Sequence, residues 1–483
     1  MTESRPPDSP AEGDVVLRVP SVLVPTAEPH EGALPVRRLL RLSLFQVSVG
    51  AALALTAGAL NRVLIVEIGA PAALVSVMLA LPILFAPLRA LIGHKSDEHK
   101  SPLGWRRTPY IWIGTILLFG GLSIMPFALI VFSGDQGAPV AVGRAAVGLA
   151  FLLIGAGGHL TQTAGLALAC DITAESQRPR AVAMMYVTLL LGMFVSSLIY
   201  GALLIDFSPV RLIQVIQGVA GAALLFNLIA LWKQETWDRD RARAATTEPS
   251  IPFREAWRAF AARPGAKRYL TAVGLGTAAF GMQDILLEPY GGEVLGLSVA
   301  ATTFLTAIFT AGALAAFALA ARLLTKGWDP YRLAAYGALL GLPGFAFVAL
   351  AAPLEAPLLL RAGAFTLGLG NGVFAVATLT AIMGFDQGER NGLALGAWGA
   401  VQATTAGVAM AVSGPLRDGL AAVAASGWMG PGLAPAAAGY LGVFHLEIFL
   451  ILAALAAIGP LARSTDARRA PLSSDFGLHD API

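Results

Sequence analysis

The sequence predicts an all-α polytopic membrane protein with twelve transmembrane helices in two six-helix halves. Hydrophobic residues make up 56% of the 483 residues, only 13% are charged, and the mean hydropathy is +0.70. A soluble protein of this composition would lack the polar residues needed to cover its surface. The chain also contains twelve apolar runs of about 20 residues or more, the length that crosses a bilayer as a helix.

Charged or turn-forming residues separate the twelve runs. They lie at about 40–60, 71–92, 109–132, 142–169, 181–204, 210–232, 269–288, 298–323, 331–352, 357–383, 391–414 and 436–461. The runs are continuously apolar and rich in Ala, Leu and Gly, whereas the strands of a membrane barrel alternate in polarity at every second residue. The pattern therefore favours helices.

The longest polar stretch inside the chain divides these runs into six and six. Within it, Phe253 to Phe260 has apolar residues at helical spacing, which predicts a short amphipathic helix on the membrane surface. The predicted organisation is a disordered tail at 1–36, a first half at 37–232, a linker at 233–268, a second half at 269–462 and a disordered tail at 463–483.

A weak internal similarity supports a duplicated six-helix unit. At one constant offset between the halves, Gly155, Gly157 and Asp171 align with Gly370, Gly372 and Asp386. Together with the six-plus-six division, these matches favour a parallel repeat of the kind found in membrane transporters.

The basic residues predict the orientation of the chain. If the amino terminus is cytoplasmic, 28 of the 33 Lys and Arg residues fall on the cytoplasmic side and 5 on the other. The cytoplasmic loops of membrane proteins carry an excess of Lys and Arg, so both termini are expected in the cytoplasm. The pI of about 9.1 then reflects a basic membrane face suited to anionic lipids, and it does not indicate nucleic-acid binding.

The loop between the second and third runs resembles the G-x-x-x-D-x-x-G-R-[RK] motif of the major facilitator superfamily, with four additional residues before the second Gly. Charges at these helix ends can pair in one state and separate in another, although anchoring to lipid headgroups explains them equally well. The candidate latch residues are Gly93, Asp97, Gly104, Arg106, Arg107, Asp171, Arg178 and Asp386.

Longer strings resemble one subfamily, the PucC and LhaA proteins of purple phototrophic bacteria, also called the bacteriochlorophyll-delivery group. They are Leu60 to Glu67, Leu81 to Asp97, Leu103 to Trp112, Phe444 to Ile448 and Ile458 to Leu461. The resemblance extends from about residue 36 to 463. It implies a role in assembling light-harvesting complexes in the bacterial inner or photosynthetic membrane, with bacteriochlorophyll as cargo and antenna polypeptides and membrane lipids as partners.

The interior of the predicted bundle offers few polar groups, which suits an apolar ligand with a few polar handles. The candidate pigment contacts are His159, Gln162, His445, Glu447, Asn61 and Arg62. His159 follows a Gly-rich stretch near the middle of the fourth run, and a neutral imidazole can coordinate the magnesium of a chlorin. Interhelical hydrogen bonds, a buried polar pair or an ion pair are the purely structural alternatives for these residues.

Asp284 and Glu288 stand one helical turn apart near the end of the seventh run. Two close carboxylates can share a proton or bind a cation. Simple exposure at a helix end, just before Pro289, is the alternative interpretation.

No catalytic motif stands out, so the sequence predicts a protein that is not an enzyme. It has no P-loop and no H-E-x-x-H motif, and Cys170 is the only cysteine, which excludes an internal disulfide and a Cys-based metal site. Three functions remain open: a pigment-handling assembly factor, a secondary transporter of a small hydrophobic or amphipathic solute, and a chaperone that binds antenna polypeptides without pigment.

Overall fold

The structure is a computed structural model that describes residues 36–84, 107–134, 139–174, 177–235, 263, 265–383, 391–428 and 434–465. Almost all of both predicted tails and most of the predicted linker lie outside these residues. So do five candidate latch residues, namely Gly93, Asp97, Gly104, Arg106 and Asp386.

The described residues form twelve helices and no strand, which confirms the predicted fold class. They are α1 (Val36–Glu67), α2 (Ala72–Leu84), α3 (Thr108–Phe132), α4 (Val140–Asp171), α5 (Arg178–Leu203), α6 (Pro209–Leu231), α7 (Ala266–Glu293), α8 (Val299–Thr325), α9 (Pro330–Ala351), α10 (Pro357–Met383), α11 (Asn391–Ala425) and α12 (Pro435–Thr465). Eleven of them are long and apolar enough to cross a membrane, and the described part of α2 is shorter. The second half of α1 contains two π-helical segments, Ala54–Leu60 and Val63–Glu67.

Three helices extend five residues or more past their predicted ends. The apolar runs stop at about 60, 288 and 414, whereas α1 continues to Glu67, α7 to Glu293 and α11 to Ala425. The charged residues that interrupt the hydropathy are paired with each other: Arg62 forms an ion pair with Glu67, and Arg417 forms one with Glu293. Paired charges lower the cost of continuing a helix, and a hydropathy pattern does not reveal such pairing.

The same helix pairs pack in both halves. In the first half, α1 packs on α4, α5 and α6, α4 also packs on α2 and α3, and α3 packs on α6. Each of these contacts recurs between the helices numbered six higher. Between the halves, α2 packs on α11 and α5 packs on α8, a pair of contacts related by the same shift. The prediction of two six-helix halves is therefore confirmed.

Glycine contacts also repeat between the halves. A methyl group added to Gly114 of α3 would lie 2.8 Å from the Gly157 carbonyl on α4. In the second half, a methyl group on Gly337 of α9 would lie 2.9 Å from the Gly370 carbonyl on α10. Gly157 and Gly370 therefore occupy equivalent places in the two halves.

The register of the predicted repeat is consequently wrong by two positions, because it matches Gly370 with Gly155. Gly155 faces Pro82 on α2, whereas Gly370 faces Gly337 on α9. Both α4 and α10 contain glycines spaced by two residues, so a sequence comparison can match them in the wrong register. The neighbouring helices distinguish these faces, and the sequence alone does not.

The two halves are joined at one end of the bundle. We call the end that carries Val36 and Thr465 the terminal end, and the opposite end the far end. Three hydrogen bonds between described residues cross the halves toward the far end. Asn61 Nδ2 donates to the Ile285 carbonyl (2.6 Å), Arg62 Nη2 to the Leu297 carbonyl (3.1 Å) and the Ala73 amide to Asp418 Oδ2 (2.8 Å). The far end is consequently closed.

We expect Asp418→Ala to destabilise the protein more than the loss of an ordinary helix cap. The carboxylate accepts from an amide in the first turn of α2, which lies in the other half, and removing such a bond costs about 1–2 kcal/mol. Asp329→Ala is the matched control, because Asp329 accepts from the Arg332 amide in the first turn of its own helix, α9 (2.9 Å). Thermal unfolding in detergent measures both, and equal losses would contradict a stabilising role for the contact between the halves.

Candidate functional site

A small cavity lies between α1, α2 and α4, next to Met410 of α11. Its volume is about 120 Å³. Apolar side chains form most of its wall, including Leu79, Phe151 and Ile154, and the polar groups on it are Thr56, His159 and Gln162. Two of the predicted pigment contacts, His159 and Gln162, are thus brought together here.

The glycines before His159 have different roles. A methyl group on Gly155 would overlap Pro82 of α2, and one on Gly157 would overlap the backbone of α3 at Leu118, so these two glycines permit close helix packing. Gly158 is different, because a methyl group there would make only ordinary contact with Val49 at 3.9 Å. Gly158 lines the cavity beside His159.

The His159 imidazole has no hydrogen-bond partner among the described residues. The residue does take part in a bond at its backbone, where the carbonyl accepts from the Thr163 hydroxyl (2.8 Å). The interhelical hydrogen bond considered as a structural alternative is therefore not made by the ring within the described part of the chain. One turn later, Gln162 Nε2 reaches Gln46 Oε1 of α1 at 3.5 Å, and Gln46 is fully buried.

His445 and Glu447 lie in opposite environments on α12. His445 is exposed, and its Nδ1 lies 2.6 Å from the Leu441 carbonyl. A carbonyl only accepts, so Nδ1 carries the proton and Nε2 keeps a free lone pair on the outer surface of the bundle. Glu447 is 0% exposed, and its carboxylate lies beside the backbone of Gln283 on α7 without a well-formed hydrogen bond from any described residue.

Asn61 and Arg62 do not line the cavity of His159. Both are buried, and both are used in closing the far end, as described above. The ion pair between Arg62 and Glu67 matches the structural interpretation of this group. A role for Asn61 or Arg62 in pigment binding remains a prediction.

The structure corrects the view that Glu288 is exposed at a helix end. Because α7 continues through Pro289, Glu288 is only 3% exposed, and it accepts a hydrogen bond from the Thr306 hydroxyl of α8. Asp284 is exposed and accepts from Gln283 Nε2 at 2.8 Å.

Asp284 lies near Glu447 across the contact between α7 and α12. The sequence contains no signal for this pairing, since the two acids belong to the seventh and the twelfth apolar runs and are distant along the chain.

Among the described candidate latch residues, Arg107 and Asp171 form an ion pair, which lies inside the first half. Arg107 Nε contacts Asp171 Oδ2 at 2.9 Å, joining the start of α3 to the end of α4. The Glu235 carboxylate accepts from the amides of Arg107 (3.0 Å) and Thr108 (2.9 Å), which ties in the segment after α6. Arg178 donates to the Cys170 carbonyl at 3.3 Å. These contacts hold the ends of four helices of one half together, namely α3, α4, α5 and α6, and a latch role remains a prediction.

The fold is shared with solved transporters. A bacterial homologue of the human lysosomal transporter Spinster, in an inward-facing and unoccupied conformation, superposes with a TM-score of 0.64 and 16% sequence identity, covering 91% of this chain and 100% of that one. At this identity the likeness concerns the fold alone.

Sequence comparisons are much more specific. Protein PucC of Rhodobacter capsulatus is 52% identical over 448 residues, covering 91% of this chain and 95% of the relative. Protein PucC of Rhodovulum sulfidophilum is 53% identical over 399 residues, covering 82% and 88%. The family model described as PUCC protein matches residues 59–466. This multi-pass membrane protein therefore belongs to the PUCC protein family.

Proposed function

We propose that the chain is a non-enzymatic assembly factor for bacterial light-harvesting antenna complexes, and that it binds bacteriochlorophyll and delivers it to antenna polypeptides. Family membership supports the assembly role. The observation that carries the pigment role is a pair of histidines, His159 and His445, inside the apolar spans. Each has a ring nitrogen with no partner among the described residues.

The chemistry of the two imidazoles suits a chlorin. A neutral imidazole nitrogen is a good metal ligand, and a carbonyl bond to Nδ1 fixes the tautomer that leaves Nε2 available. His445 is open to the side of the bundle, so a pigment can reach it laterally from the membrane. The cavity at His159, about 120 Å³, is below the roughly 300–1,000 Å³ typical of ligand pockets, so it suits only part of a pigment.

The same proposal includes the membrane in which the protein lies and the orientation of the chain across it. The excess of basic residues at the terminal end favours both termini in the cytoplasm. The relatives come from purple bacteria, which favours the bacterial inner or photosynthetic membrane, where antenna polypeptides and anionic lipids are available as partners.

Transport of a small hydrophobic solute is the second candidate function. It is supported by the closed far end together with a cavity between α1, α2 and α4 that is bordered by α11 of the other half. Proton-dependent uptake of a hydrophobic solute into vesicles, by a protein that carries no pigment, would favour this candidate over the first.

We expect His445→Ala and His159→Ala to lower the amount of pigment that copurifies with the protein. The measurement is the ratio of the near-infrared absorption band to protein after mild purification from a pigment-producing strain. Thr163→Ala is the control, because its hydroxyl bonds the His159 carbonyl and not the ring. A tenfold drop in retention would correspond to a loss of about 1.4 kcal/mol of binding free energy.

Two outcomes would reject the pigment role. One is an unchanged pigment ratio in the double variant. The other is an absorption band that persists when the protein is purified from a strain unable to make bacteriochlorophyll. Antenna polypeptides recovered with the protein in the absence of any chlorin would identify a pigment-free chaperone instead.

A further inference from the structure

A second and larger concave surface lies at the far end, between α5, α8 and α10. This groove has a volume of about 640 Å³ and opens at the outer surface of the helix bundle. Its apolar wall consists of Phe194, Leu198, Ile205, Phe304, Ile308 and Phe365. None of its lining residues is shared with the cavity at His159.

One charged side chain, Arg361 of α10, lines the groove. Arg361 is exposed and makes no ion pair or hydrogen bond with any residue that the structure describes. Asp206 directly follows Ile205 of the wall, and Glu355 precedes α10, yet neither acid forms an ion pair with it. A cation that borders an apolar groove in a membrane is stabilised by an anion at the same depth.

The length of the groove matches one leaflet. Phe194 is the innermost wall residue of α5, and Ile205 lies in the turn that follows the end of α5 at Leu203. From Phe194 to Leu203, α5 rises about 14 Å at 1.5 Å per residue. Half of the roughly 30 Å hydrocarbon core is about 15 Å. Arg361 is the fifth residue of α10, so it lies near the far-end surface where headgroups are found.

The floor of the groove is built where the two halves meet. A methyl group on Gly201 of α5 would lie 2.7–2.9 Å from three ring atoms of Phe304 on α8, so the Phe304 ring packs directly against the backbone of α5. A molecule in the groove therefore contacts α5 of the first half and both α8 and α10 of the second.

We propose that this groove binds an anionic phospholipid from the leaflet at the far end. The phosphate pairs with Arg361, and one acyl chain lies along the wall formed by Phe194, Leu198 and Phe365. The charge of Arg361 favours an anionic headgroup, and the apolar wall favours an acyl chain. The bound lipid joins the two halves at the contact between α5 and α8.

Native mass spectrometry of the full-length protein, titrated with dioleoyl phosphatidylglycerol or dioleoyl phosphatidylcholine, tests the site. Wild-type protein is expected to bind phosphatidylglycerol more tightly than phosphatidylcholine. Arg361→Gln is expected to weaken phosphatidylglycerol binding about fivefold, the contribution of one basic residue at a membrane surface. Arg211→Gln is the matched control, since Arg211 is also exposed at the far end but lies outside the groove.

Leu198→Trp provides an independent test that keeps the charge. Leu198 is 39% exposed, so a larger side chain extends into the groove without entering the core, and it is expected to lower phosphatidylglycerol binding. Equal binding of the two lipids by wild-type protein would overturn the proposal. Equal losses in the Arg361 and Arg211 variants would also overturn it, because they would indicate diffuse attraction to the surface.

Discussion

Gly368→Ala and Gly312→Ala are each expected to destabilise the protein severely. A methyl group on Gly368 of α10 would overlap the Phe309 carbonyl of α8, and one on Gly312 of α8 would overlap the Phe365 carbonyl of α10. In both cases the obstacle is backbone, which cannot rotate away as a side chain can. The added methyl group would force the two packed helices apart, and overpacking of this severity costs about 3 kcal/mol or more of stability.

Gly218→Ala of α6 is the matched control. It is also a helical glycine, but nothing lies within 4 Å of an added methyl group. Alanine is the better helix former by about 1 kcal/mol, so this variant should be unchanged or more stable. The thermal transition in detergent and the membrane yield are the measurements. A Gly368 variant that matches the Gly218 variant would show that α8 and α10 are not held in this close contact.

Glu447→Met is expected to make the protein more stable and less active. Glu447 is fully buried, and neither of its oxygens accepts a well-formed hydrogen bond from a described residue. Replacing such a group by an apolar one of similar size recovers about 1–3 kcal/mol. A residue that costs stability in this way is retained where function requires it. Antenna assembly in a strain carrying only this variant should therefore fall while the melting temperature rises.

Glu355→Met is the control for that experiment. Glu355 is an exposed glutamate in the turn before α10, and surface substitutions usually change stability by less than about 0.5 kcal/mol. A lower melting temperature for Glu447→Met would mean that the carboxyl is stabilising in the native protein. Full antenna assembly by the Glu447→Met variant would show that function does not require Glu447.

Most of the fold could be predicted from hydropathy, because the number and order of membrane spans depend on local composition. The hydropathy pattern predicts the fourth span at 142–169, and α4 is Val140–Asp171. The ends of α1, α7 and α11 could not be predicted, since charged residues such as Arg62 and Arg417 remain inside the bundle by pairing with partners that hydropathy does not identify.

The site was only partly predictable. Spacing on one helix was enough to group His159 with Gln162, because residues three apart share a face. It was also enough to separate His445 from Glu447. Contacts between helices were not accessible in this way: neither the Asp284 and Glu447 pair nor the groove at Arg361 has a local sequence signal.

The π-helical segments of α1 allow its length to change without changing the direction in which its polar residues point. A π turn bonds across five residues instead of four, so it holds one residue more than an α turn. Deleting one residue within Ala54–Leu60 would therefore let the segment close as an ordinary α-helix and would leave the residues after it facing nearly the same way. Asn61 and Arg62 would still reach Ile285 and Leu297, and the cavity wall before the deletion would keep its place. Loss of a single codon here is thus a change that descendants of this chain can absorb without altering how the halves meet.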